Sequence, residues 1–189
     1  MNIHQKSILF GAICLMLATL ACTLNLGGPS YPASVVPVST QYIEDLQSSL
    51  STAVASGAES GDVTLVFTEP ELTSYLTYYL QAKSQPLITN PQIYLRDGQI
   101  QVYVTATKGF LETTALVILS AGVDDQDQLK IELTSANFGP LPVPDSVKEI
   151  ITATLQEAYT GAFGPVASGI KLVSVEISDG NMSITGHLK

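Results

Sequence analysis

The chain has 189 residues, enough for one domain and little more. Hydrophobic residues make up 46% and charged residues 13%, which supports a core and excludes disorder for most of its length. The formal charge of −9 makes nucleic acid a poor partner and argues against a basic patch for anionic membranes.

Residues 1–6 carry Lys6 and His4 and no acid, and residues 7–20 are apolar. Ala21 and Cys22 follow, the layout of an export signal with a small residue before the cut. The run is short for a membrane-spanning helix, which needs about 20 residues. Both cysteines, Cys14 and Cys22, lie in this region, so the rest of the chain has no internal disulfide. Removing residues 1–21 takes away Lys6 alone and leaves 17 acids against seven bases, a charge of −10. Residues 22–38 contain Pro29, Pro32 and Pro37 among Gly, Ser and Asn, without an apolar period, and read as a tether. Extended, such a tether would reach roughly 40–50 Å at ~3 Å per residue. The folded domain is expected over residues 39–189.

Residues 39–56 predict a helix: Ser39 or Thr40 caps it, and Ile43, Leu46, Leu50, Ala53 and Val54 recur at helical spacing, with Gly57 as its stop. Val63, Leu65 and Phe67 alternate as a strand over residues 62–67. Thr68-Glu69-Pro70-Glu71 is a capping box with proline in the first turn, opening a helix over residues 69–83. Leu72, Tyr75, Leu76, Tyr79 and Leu80 share one of its faces. Residues 85–91 read as a proline-bounded loop, and residues 92–96 and 99–107 flank Asp97-Gly98, a strong hairpin signal. Residues 111–123 form a long strand, apolar on both faces over 115–119 because Leu116 and Ile118 interleave with the other set. Asp124, Asp125 and Asp127 turn the chain into a strand over residues 129–138.

Residues 138–144, Phe-Gly-Pro-Leu-Pro-Val-Pro, cannot be helical. They read as a stiff strap whose Leu141 and Val143 point to one side of an apolar groove. A broad-striped helix is expected over residues 145–162. Residues 171–178 and 181–188 make a last hairpin around Asp179-Gly180, with Val173, Val175 and Ile177 inward. The fold class is therefore α+β: one curved, mainly antiparallel sheet of about six to seven strands packed by about three helices.

Catalytic chemistry finds little footing. The one histidine after the leader, His187, has no acid within several residues, and no Gly-x-Ser-x-Gly or phosphate loop is present. The aspartates at 124–127 lack the Gly and Glu spacing of a calcium loop. Glu69 and Glu71 suit a helix start. No cofactor, no metal and no enzyme activity is expected. The apolar excess at Leu72, Tyr75, Leu76, Tyr79, Leu116, Ile118, Leu141 and Val143 suggests a groove for an acyl chain. The other reading is a filled core.

Two stretches bring resemblances. Thr19-Leu20-Ala21-Cys22 resembles the bacterial lipoprotein box, with Thr19 in place of the usual aliphatic. That implies a diacylglyceryl group on Cys22, and two acyl chains suffice for stable anchoring to the outer face of the cell membrane. Further on, four motifs follow one another: Thr68-Glu69-Pro70-Glu71-Leu72-Thr73-Ser74-Tyr75-Leu76, Ile93-Tyr94-Leu95-Arg96-Asp97-Gly98-Gln99-Ile100, Phe138-Gly139-Pro140-Leu141-Pro142-Val143-Pro144, and Val175-Glu176-Ile177-Ser178-Asp179-Gly180-Asn181-Met182-Ser183-Ile184-Thr185-Gly186. In that order they resemble the LmeA/YpmS-like bacterial envelope proteins, over about residues 62–189. The usual Asn after the helix Leu is Thr73 here, and a polar tether stands where many relatives carry a transmembrane anchor. The resemblance implies a distant likeness to tubular lipid-binding (BPI-like) domains, a half-tube that holds a phospholipid or other amphiphile. The competing expectation is an interaction or scaffold module that docks an envelope protein through its acidic surface.

Overall fold

The computed structural model describes residues 24–83, 88–108, 111–140, 153 and 169–188. Cys22, the strap residues Leu141 and Val143, and all but residue 153 of the helix expected over residues 145–162 lie outside the described residues. The elements are β1 (Leu24–Asn25), α1 (Thr40–Ser60), β2 (Asp62–Thr68), α2 (Glu69–Gln81), β3 (Ile88–Arg96), β4 (Gln99–Lys108), β5 (Leu111–Val123), β6 (Leu129–Asn137), β7 (Ile170–Ser178) and β8 (Asn181–Leu188).

The fold is α+β, but with two antiparallel sheets instead of one curved sheet. The larger runs β3-β4-β5-β6, and β1 adds two parallel residues to the β6 side of β5; the smaller runs β2-β8-β7. Two helices are found among the described residues. The hairpins at Asp97-Gly98 and Asp179-Gly180 form as expected. Asp97 and Gly98 both take positive φ, 55° and 72°, the combination that matches the twist of a two-residue hairpin. What separates the sheets is the free edge of β3. Ile93 N–H donates to Thr73 Oγ1 at 3.0 Å and Leu95 N–H to Glu69 Oε1 at 2.7 Å. Side chains of α2 thus occupy that edge, and among the described residues no strand is added to it. The smaller sheet touches the larger through single bonds, Gly180 N–H to Leu95 O and Leu172 N–H to Asp127 O, both 3.0 Å.

Between the sheets and helices lies one core. Alternation sends Ile93, Leu95, Val102, Val104, Ala115, Val117 and Leu119 to it from the larger sheet, and Val63, Phe67, Ile170, Leu172, Met182 and Ile184 from the smaller. Helix α2 adds Leu72, Leu76 and Leu80, spaced four apart on one face. Its start is the capping box read from the sequence: Glu71 N–H donates to Thr68 Oγ1, and Thr68 N–H to Glu71 Oε2 at 2.8 Å.

Three local expectations are overturned. Helix α1 runs through Gly57 and stops at Gly61, whose φ of +84° closes it. Gly57 is a packing position: a Cβ there would stand 2.3 Å from Val63 Cγ2, so glycine lets α1 lie close on β2. Strand β3 begins at Ile88, inside the expected loop. A register shift between Thr89 and Gln92, with Asn90 at φ 50°, absorbs Pro91, which cannot donate to a regular ladder. In β7 a shift between Leu172 and Ser174 resets the alternation, so Leu172 is buried while Val173 points out at 58% exposure.

Residues 24–38, the described part of the stretch read as a tether, are hydrogen-bonded to the domain. Leu24 and Asn25 pair with Leu111 and Glu112. Leu26 N–H donates to Glu112 O, and Gly27 O accepts from Thr114 N–H and Thr113 Oγ1. Here the end of β6 and the segment after β1 meet beside β5. Gly139 at φ +68° and Gly28 at φ +133° abut so closely that a Cβ on Gly139 would fall 2.7 Å from Gly28 Cα.

Candidate functional site: the outer face of the larger sheet

Alternation that sends Val102 and Val117 into the core sends their neighbours to the opposite face. Register gives two rows there. One is Tyr94, Gln101, Ile118 and Ser135; the next is Gln92, Tyr103, Leu116 and Asn137. Leu116 and Ile118 are half-buried and belong to no part of the core. Beside them sit three tyrosines. Tyr103 lies between Tyr31, with ring centroids 5.7 Å apart, and Tyr94, edge-on at 5.6 Å.

The N-terminal segment crosses this face. Tyr31 Oη donates to Asn90 O at 3.0 Å and lies 3.2 Å from Thr105 Oγ1. Tyr94 Oη donates to Ser34 O at 2.6 Å. Gln92 clasps Val36 at both backbone groups, accepting its N–H at 2.7 Å and donating to its carbonyl at 3.3 Å. Ser39 N–H then donates to Ser74 Oγ, and the chain enters α1, which packs on β2 and α2. Val36 and Tyr94 are buried, while Val35 is 72% exposed. Burial raises the pKa of the Tyr94 hydroxyl, and the charges of Glu69 and the neighbouring tyrosines add to it while Arg96 opposes. Burial likewise raises Tyr31, against the lowering effect of its Thr105 hydrogen bond. The face is thus a partly dry aromatic and aliphatic strip edged by amides.

The expected groove residues do not come together. Leu72 and Leu76 are core residues of α2, and Tyr75 and Tyr79 pack against that core on the same helix. The Tyr75 and Tyr79 rings stack at 6.3 Å, and Lys83 Nζ lies 4.8 Å from the Tyr79 ring centroid. Leu116 and Ile118 lie behind the sheet from all four, so a whole layer of backbone separates the two halves of the expected groove. Leu141 and Val143 are outside the described residues.

Sequence reasoning also missed two features. Tyr31, Tyr94 and Tyr103 were scattered along the chain, and only strand register gathers them. His187 does have an acid: pairing of β2 with β8 sets it opposite Asp62, with Nδ1 2.6 Å from Asp62 Oδ1. Both side chains are well exposed, so this is a solvated cross-strand pair. At the aspartate turn, Asp124 Oδ1 accepts the N–H groups of Gln126 and Gln128, which explains that acid by the turn it closes. Among the described residues no three His, Cys, Asp or Glu side chains gather as a metal site, and no helix is long and apolar enough to cross a membrane.

Neither protein-family models nor curated proteins give a match to this chain.

Proposed function

We propose that the protein is an exported, membrane-tethered, non-enzymatic lipoprotein of the cell envelope, anchored at Cys22, whose domain binds or shields an amphiphile. One observation carries the ligand reading: Leu116 and Ile118 form an apolar strip beside Tyr94 and Tyr103, outside the core and rimmed by Gln92 and Gln101. Apolar surface with a few placed amides suits a molecule with an acyl chain and a polar head. The resemblance to the LmeA/YpmS-like envelope proteins, and through them to half-tube lipid-binding domains, points the same way. The Thr73 departure from that motif is compatible with it, since Thr73 Oγ1 supplies an acceptor to Ile93 N–H, a role an Asn carbonyl could fill.

A second reading, a scaffold module docking another envelope protein, is favoured by the exposed acidic turns at Asp97, Asp125 and Asp179. Native mass spectrometry of the mature chain, gently purified, separates the two. A co-purifying amphiphile of defined mass, lost in a folded Leu116→Glu/Ile118→Glu variant, is the expected result. A clean apo mass that stays unchanged on adding phospholipid or fatty acid would sink the ligand reading and leave the scaffold.

A further inference from the structure

The larger sheet has two unlike ends. At one, Lys108 pairs with Leu111, Ile88 with Ala106, and Leu24 and Asn25 join β5. Lys108 and Glu112 are the charged residues of the strands there. The other end holds the turns with Asp97, with Asp124, Asp125 and Asp127, and, through the Gly180 N–H bond to Leu95 O, with Asp179. The nearby bases are already matched: Arg96 to Glu69, Lys130 to Glu132 and Lys171 to Asp127. Among the described residues of the larger sheet and its turns, most of the acids thus stand at one end, and the N-terminus is bound at the other.

That binding fixes the reach of an anchor. Cys22 precedes Leu24 by two residues, which span at most ~7 Å. Leu24 itself is registered on Leu111, and the segment after it is locked by Gly27, Gly28 and Gly139. A lipid on Cys22 would then hold the Leu111 end within a few ångströms of the headgroups. Strand β5 runs from Leu111 to Val123, ~40 Å at ~3.4 Å per residue. The Debye length under physiological salt is about 8 Å. Aspartates at the far end are thus screened from an anionic surface several times over, whereas the same turns laid on the membrane would be repelled.

We infer that the domain stands upright on the bilayer. The end at which Leu24 and Asn25 pair with β5 seats on lipid headgroups, and the aspartate turns of the larger sheet are held away from the membrane. This rests on the reading of Cys22 as lipidated.

The chain contains no tryptophan, so single tryptophans report depth without background. Full-length lipoprotein carrying Thr107→Trp, or separately Asp125→Trp, would be placed in phosphatidylethanolamine–phosphatidylglycerol vesicles bearing headgroup nitroxide lipid. The expected result is loss of most of the emission at position 107 and none at position 125. Asn25→Trp, at an exposed site on the same end, repeats the measurement should Thr107→Trp disturb β4. Equal quenching at both ends, or quenching at position 125 alone, overturns the upright seat. Intact mass decides which idea failed: a diacylglyceryl adduct on Cys22 with no difference between ends overturns the orientation only. A chain exported without the adduct overturns the anchor and the orientation together.

Discussion

The two faces of the larger sheet are made by the same strands and differ in what covers them. The inner face meets α2 and the smaller sheet, and its residues interlock: Leu95 is 0% exposed and Val117 1%. Among the described residues the outer face is crossed by one extended segment that holds on through tyrosine hydroxyls, Gln92 and glycine contacts. Helices supply many apolar contacts per residue ordered, whereas an extended segment with few aliphatics relies on hydrogen bonds, each worth only about 0.5–1.5 kcal/mol net. Among the described residues the inner face therefore carries more of the stability, and the cover of the outer face is the more weakly held.

The largest effect that tests this contrast is a core truncation. Leu95→Ala should cost roughly 2–5 kcal/mol in urea unfolding, because the site is dry and enclosed. Ile118→Ala, half-buried on the other face, should cost about 1 kcal/mol or less. Comparable losses would mean that the outer face is as tightly built as the inner one. Gly28→Ala comes next. Its Cβ would fall 2.2 Å from Thr114 O at a φ of +133°, so about 1–3 kcal/mol is expected. The variant should also free the N-terminal segment, read as faster amide exchange at Leu26 and Thr114 with the core amides of β4 unchanged. Exchange that quickens equally throughout would show that the segment is part of the global fold.

How much of this was legible follows from the range over which each signal acts. The Asp97-Gly98 and Asp179-Gly180 hairpins and the Thr68–Glu71 capping box are local, and the sequence states them outright. The union of hairpins into sheets is not local. Asp62 pairs with His187 across 125 positions, and nothing near either residue announces the other. Gly57 reads as a helix stop because a stop and a close approach both call for glycine; only the position of Val63 decides between them. Residues 24–38 read as a tether by composition. Their fixings are a tyrosine over a tyrosine and glycines against backbone, which composition cannot reveal. The same limit applies to the candidate site. Leu116 and Ile118 were found from apolar residues on both faces of one strand, but the sequence could not say that α2 lies on the other side of it.

The smallest expected effect is also the most specific to the outer face. Tyr94→Phe removes the hydroxyl that donates to Ser34 O and should cost about 0.5–1.5 kcal/mol at neutral pH. Its second consequence concerns pH. Burial, then the charges of Glu69, Tyr103 and Tyr31, raise the Tyr94 pKa above 10.0, and burial raises Tyr31 and Tyr75 as well. The folded chain thus holds these protons more tightly than the unfolded chain does. Below pH 10 both states are protonated and the difference contributes nothing to the pH dependence. As pH climbs through 10 the unfolded chain ionises first, so stability falls until the folded groups titrate in turn. Unfolding free energy should therefore decline from about pH 10 upward in the parent, and Tyr94→Phe should make that decline shallower while starting from a lower value. The two curves would converge at high pH. Parallel curves would show that the Tyr94 hydroxyl ionises as freely in the folded protein as in the unfolded chain, and that the segment crossing the sheet leaves its outer face wet.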